Sequence, residues 1–225
     1  IVQIGIEPGR IIGPLAFDSA PDGTFVIADA PYGAERVQAF YYRGGSTGGF
    51  RIPGRSRPRV AMGELVLSGV GSLDYTGTSI LVSHPGSGAL ITEYAMDGRV
   101  LRSFGELRAT GHEREPDLHL ALNAGLALVL PNDAGYYFVF LSGVPVFRKY
   151  DASGRFLFER HIEGVELDKH IQSLPKVWPR RKTQDGEFPI APPTVRTAAG
   201  DPGGDLWVSL AVPFTYVYDS AGDKR

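Results

Sequence analysis

Two glycines and an aromatic recur four times along the chain, and this recurrence limits the fold more than any other property of the sequence. One glycine, at Gly23, Gly77, Gly135 and Gly204, precedes an apolar run: Thr24-Phe25-Val26-Ile27-Ala28, Ile80-Leu81-Val82-Ser83, Tyr137-Phe138-Val139-Phe140 and Leu206-Trp207-Val208-Ser209. A second glycine follows 21, 21, 19 and 18 residues later, at Gly44, Gly98, Gly154 and Gly222. Four residues before each of these stands an aromatic: Phe40, Tyr94, Tyr150 and Tyr218. The runs are rich in β-branched and aromatic residues, which suit a pleated surface, and the glycines suit hairpin turns. Successive units lie 54, 58 and 69 residues apart. That exceeds the roughly 40–50 residues of a propeller blade, so the units carry insertions. One such sheet cannot bury both of its faces, so neighbouring sheets must stack. The four aromatics are therefore expected to pack between sheets rather than to contact a ligand.

The expected fold is all-β: a β-propeller of four-stranded antiparallel blades, about four of them visible, forming part of a larger ring. Blades are expected at 13–52, 70–105 and 120–162, with a partial blade at 194–225. A long insertion at 163–193 links the last two. Within the units, strand a is expected near 14–19, 70–75, 121–129 and 194–199. Strand b falls near 24–29, 79–83, 136–141 and 205–210, and strand c near 35–42, 89–95, 145–150 and 214–219. Strand d falls near 48–52, 99–104 and 155–161. Residues 1–5 read as a strand d belonging either to a preceding blade or to the last blade of a closed ring. Both ends fall within a blade and the chain opens on Ile1, so a fragment of a larger ring is the preferred expectation.

Composition agrees with this reading. Twenty-nine glycines and 17 prolines make a turn-rich chain, and 43% hydrophobic residues suffice for a packed core. A net charge of −2 gives no global attraction to nucleic acid or anionic lipid. No apolar stretch approaches the roughly 18 residues of a membrane helix. The chain contains no cysteine, which excludes disulfides and thiolate metal sites.

The first unit carries Gly13-Pro14-Leu15-Ala16-Phe17-Asp18, then Asp22-Gly23 and an apolar strand ending in Asp29, then Arg36-Val37-Gln38-Ala39-Phe40. In these residues it is similar to the NHL-type propellers and the wider six-bladed, TolB-like group, and the resemblance implies that the blades are part of a six-bladed ring. His84, Leu141 and Leu210 occupy the place of Asp29 in the later units. The resemblance implies architecture and, weakly, an exported or periplasmic location. It does not imply one activity, because such folds host enzymes, receptors and scaffolds.

Antiparallel order puts the d–a and b–c connections on one face and the short a–b and c–d turns on the other. The long stretches 53–69, 105–120 and 162–193 are all d–a connections. The functional face is therefore expected there, since long loops on a rigid scaffold commonly bind. It would carry Asp29, Tyr32, His84, His112, His119, His170, Trp178, Arg180 and Arg181, together with His161, Arg55, Arg57, Arg59 and Lys182. Residues 165–174 are expected to form a short helix stopped by Pro175, with the proline-rich remainder of that loop extended.

No catalytic motif survives inspection. Gly44-Gly45-Ser46-Thr47-Gly48 matches a nucleophile elbow, but the elbow needs a strand-to-helix turn and this segment is a hairpin. The expected function is a non-catalytic binding scaffold for a protein, peptide or glycan, with no required cofactor. The alternative is a metal-dependent propeller hydrolase or lyase in which His84 and His119 help to hold a divalent ion. In the resembled group, lyases use three histidines and lactonases an acidic/Asn calcium site. Asparagine occurs here only at Asn123 and Asn132. The basic runs Arg51–Arg59 and Trp178–Lys182 raise RNA as a third reading, but Glu113, Glu115, Asp117, Asp168, Asp185 and Glu187 share the face, so nucleic acid is not an expected partner.

Overall fold

The computed structural model describes residues 2–31, 34–53, 59–62, 65–68, 72–183 and 186–225. Tyr32, Arg55, Arg57 and Asp185 lie outside the described residues. Each repeat unit folds as one antiparallel sheet in simple up-and-down order. After a short parallel pair, β1 (Gln3–Ile4) and β2 (Arg10–Ile11), blade one comprises β3 (Ala16–Ser19), β4 (Thr24–Asp29), β5 (Arg36–Tyr41) and β6 (Ser46–Arg51). A hairpin, β7 (Arg59–Met62) and β8 (Leu65–Ser68), precedes blade two: β9 (Leu73–Tyr75), β10 (Ser79–Ser83), β11 (Ile91–Ala95) and β12 (Val100–Phe104). Helix α1 (Pro116–Leu122) leads into blade three: β13 (Gly125–Val129), β14 (Tyr136–Phe140), β15 (Val146–Tyr150) and β16 (Phe156–His161). Helix α2 (Val165–Gln172) and a hairpin, β17 (Arg180–Thr183) and β18 (Gly186–Pro189), precede β19 (Val195–Gly200), β20 (Leu206–Leu210) and β21 (Thr215–Tyr218). Among the described residues the fold is a propeller of four blades, three with four strands and the last with three. No helix among them is long and apolar enough to cross a membrane.

Blades associate through the repeat aromatics, as the sequence implied. Tyr94 of blade two lies 5.3 Å from the Phe50 ring of blade one, and Tyr150 of blade three lies 5.6 Å from Phe104 of blade two. Tyr218 of the last blade lies 4.8 Å from Phe147 of blade three. Phe40 instead stacks on Phe25 within its own blade, at 5.3 Å. Three apolar clusters each join two successive blades. One holds Val26, Val37, Ile80 and Tyr94, the next Leu81, Ile91, Phe138 and Tyr150, and the third Tyr137, Phe147, Val195 and Leu206. The innermost strands are also tied directly. Asp18 on β3 accepts from the Tyr75 backbone N–H of β9 at 2.6 Å. Asp74 on β9 accepts from the Val129 N–H of β13 at 2.9 Å.

Several local expectations are corrected. Residues 121–122 end a helix rather than open strand a of blade three, because Pro116 starts the turn and Leu118, Ala121 and Leu122 bury one helical face. Residues 53–69 contain a hairpin rather than only loop, and 180–189 form a hairpin rather than a single extended run. Helix α2 occupies the place expected, buries Leu167 and ends before Pro175. Gln3 and Ile4 do not pair with β21. They run parallel to Arg10 and Ile11, held against blade one by the Asp29–Arg36 pair. Tyr218 bridges Lys224 instead.

Candidate ligand-binding site

In three of the four blades the residue two before the repeat aromatic bonds to a segment outside its own sheet. In blade one that residue is Gln38, which accepts from the Gly9 N–H at 2.8 Å and donates to the Arg10 carbonyl at 2.7 Å. In the last blade it is Tyr216, which donates to Glu166 of α2 at 2.5 Å. In blade three it is Arg148. Arg148 donates through Nε to Glu159 Oε2 on the neighbouring β16 at 2.6 Å and through Nη1 to the Glu106 carbonyl at 2.6 Å. Burial pulls the Arg148 guanidinium down, and its bond to Glu159, together with the influence of nearby Tyr150, outweighs this and holds it above the usual arginine value.

The segment that Arg148 tethers places a second arginine beside it. Buried Asn123, just past the end of α1, accepts the Arg108 N–H at 2.8 Å and donates to the Arg108 and His119 carbonyls at 3.2 and 3.0 Å. With its backbone thus fixed, Arg108 turns its guanidinium onto three carbonyls: Val144 at 3.1 Å, Leu122 at 3.1 Å and Ser142 at 2.8 Å. The Arg108 and Arg148 guanidinium carbons lie 4.2 and 5.3 Å from the centroid of the buried Phe140 ring. Burial draws Arg108 down to about 10; Glu159 opposes that and Arg148 adds to it.

Both arginines line a cavity of about 520 Å³. Its walls come from the b–c link of blade three (Gly143, Val144), from the d–a connection before it (Thr110, His112) and from the one after it (Leu174, Pro175, Trp178). Glu159 and His161 close the β16 side. A second cavity of about 450 Å³ shares Arg108, Ala109 and Arg148 and extends the groove towards Phe156.

The residues expected on the functional face do not form one site. His112 and Trp178 line the cavity together, with ring centroids 6.5 Å apart in an edge arrangement. Trp178 is only 8% exposed and packs with Leu118, Ala121 and Ala191, so it serves as a wall rather than an open stacking platform. His119 Nδ1 shares a 2.8 Å hydrogen bond with Thr110, a cavity residue. His170 bonds Thr194 at 3.2 Å, and Thr194 donates to the Gly143 carbonyl at 2.6 Å, which braces the b–c link from behind. Arg180 is held by Asp117, by Glu115 at 3.5 Å and by Glu187 at 3.7 Å, which leaves it poorly placed for phosphates. Arg181 lies on β17 opposite Phe188. His84 is buried with its Nε2 3.8 Å from Glu35, away from the cavity lining. Asp29 is fully buried and binds Arg36 at 2.7 and 2.9 Å, so its role is structural. Among the described residues no group of three His, Asp or Glu side chains is arranged to hold a metal ion.

The sequence reading passed over Arg108, Arg148, Glu159 and Asn123. For Arg148 a signal existed: aligning the units on their aromatic sets it level with Gln38, Thr92 and Tyr216. Arg108 has no such marker, because its place depends on Asn123 across an irregular loop.

A scan against models of protein families finds no match, and a search of curated proteins finds none either. Solved structures do match. A Bacteroides caccae protein of unknown function is 11% identical with a TM-score of 0.54, over 94% of this chain and 65% of that one. A candidate 6-phosphogluconolactonase from Bacteroides fragilis is 12% identical with a TM-score of 0.48, over 96% of this chain and 56% of that one. The chain thus spans less than two thirds of the length of either. The first likeness supports the propeller fold alone.

Proposed function

We propose that this chain is the ligand-binding part of a non-catalytic propeller of the NHL or TolB-like kind, in a ring of six blades, and that its ligand sits in the Arg108–Arg148 cavity. The supporting observation is that the two d–a connections flanking blade three and its own b–c link converge there on a preformed pocket whose polar groups are fixed before any ligand arrives. Arg108 is set by Asn123 and three carbonyls, and Arg148 by Glu159 and a carbonyl. A concave pocket that combines apolar walls with polar groups fixed in place is the usual form of a ligand site. Its size suits a peptide side chain or a sugar ring better than a flat protein interface.

The test is a fragment screen by ligand-observed NMR on the native chain and on Val144→Trp. Val144 is 39% exposed at the rim, so the indole fills the cavity without touching the core. Binders of the native chain should be lost from a variant whose circular dichroism is unchanged. A set of binders indifferent to the substitution would end this reading.

A further inference from the structure

We infer that the group recognised in this cavity is a carboxylate carried on an apolar body, and that Arg108 is the residue that reads it; this rests on the cavity being the binding site. Arg108 is a partly buried cation whose three hydrogen bonds all go to neutral carbonyl oxygens. No carboxylate among the described residues lies within ion-pair distance of it; Glu159, the acid on the cavity wall, is engaged by Arg148. A guanidinium carries five N–H donors, so two of those on Arg108 remain for a ligand.

A partly buried charge without a counter-ion has lost hydration that nothing replaces, and an incoming anion supplies what the folded chain lacks. Two adjacent guanidinium groups also favour a planar, two-oxygen acceptor. The opposite wall selects the rest of the ligand. Leu122, Val144, Leu174, Pro175 and Trp178 present carbon surface. Thr110 is bonded to His119, His112 to Glu115 and Glu159 to Arg148, which leaves His161 as the further polar side chain of the lining, too little for the hydroxyls of an acidic sugar. An apolar acid, such as the end of a peptide with a terminal hydrophobic residue, satisfies both walls.

The experiment uses a matched set of probes on the native chain, read by chemical-shift titration: N-acetyl-phenylalanine, its primary amide, glucuronate and inorganic phosphate. The acid should bind, and the other three should bind at least about tenfold more weakly. Arg108→Met should erase the preference for acid over amide, and Arg108→Lys should keep part of it. If Arg108→Met does not fold, the acid-to-amide ratio on the native chain decides alone. Equal binding of amide and acid, tighter binding of glucuronate or phosphate, or no binding of the acid at roughly 10 mM overturns the inference. Equal binding that Val144→Trp abolishes would overturn the carboxylate but leave the cavity as the site. Binding of every probe unaffected by Val144→Trp would overturn the site as well.

Discussion

Gly98, in the turn between β11 and β12, rests on the ring of Phe50 in the preceding blade: a Cβ on Gly98 would stand 2.5 Å from the Phe50 Cβ. Gly154 meets Phe104 and Gly222 meets Phe158 in the same way, at 2.8 and 2.7 Å. All three glycines have φ between +84° and +87°. The repeat therefore records two demands at once, a left-handed turn and the close approach of one blade's turn to the outer strand of its neighbour.

Gly98→Ala should destabilise the chain by about 2–4 kcal/mol, combining the left-handed penalty with overpacking. Phe50→Gly in the same chain removes the Phe50 Cβ as well as the ring and should relieve the steric part, so the double variant should cost less than the sum of the two singles. Urea titrations of the four species measure this, and strict additivity would show that the contact is not the cause.

Asp29 and Arg36 fasten the N-terminal segment. Arg36 is 11% exposed at its side chain, binds both Asp29 oxygens and also donates to the Ile6 and Arg10 carbonyls, while Asp29 accepts the Ile12 N–H at 3.0 Å. Asp29→Ala leaves that guanidinium without its counter-charge and should cost about 3–5 kcal/mol. Hydrogen exchange should rise first across residues 2–12, before blades two and three are affected.

The repeat, and with it the blade order, was legible because each unit states it locally: a turn glycine, a β-branched run and an aromatic at fixed spacing. The functional side chains were not, because their positions are set by contacts between insertions. His84 was expected on the functional face as a candidate metal ligand, yet it is 1% exposed beside Glu35. Arg180 and Trp178 were expected to be presented on the functional face, yet one is bound by three acids and the other is packed against α1. Sequence order does not show which loop residues meet. The site became visible only when Asn123 was seen to fix Arg108 against blade three.

Asp74 gives the blade two–three junction a pH dependence. Burial, opposed by the Val129 N–H and reinforced by Asp18, raises its carboxyl from 3.8 to about 6. The native chain thus holds this proton at pH values where the unfolded chain has released it. Stability falls as pH rises from about 4 to 6, and the full penalty remains above that window. Asp74→Asn keeps an oxygen for the Val129 N–H and cannot ionise. It should be more stable than the native chain near pH 7.5, on the order of 2 kcal/mol, and have no advantage near pH 4. Thermal melts at the two pH values measure this, and a pH-independent difference would point to packing instead.

Asn123 is the hinge on which the proposed site depends, and its two possible losses differ in kind. Asn123→Ala removes the acceptor for the buried Arg108 N–H and the donor to two carbonyls, which should cost about 2–3 kcal/mol. Exchange should speed up at residues 105–110, and acid binding should weaken as Arg108 loses its fixed position. Asn123→Asp keeps the acceptor but turns a carboxylate oxygen towards the carbonyls of Arg108 and His119, where the amide had donated. It should therefore be worse than Ala at neutral pH and recover as the pH is lowered and the carboxyl gains a proton that it can donate. If Asp is tolerated better than Ala at neutral pH, the two donor bonds are not what hold this loop, and the N–H to Oδ1 bond alone sets Arg108.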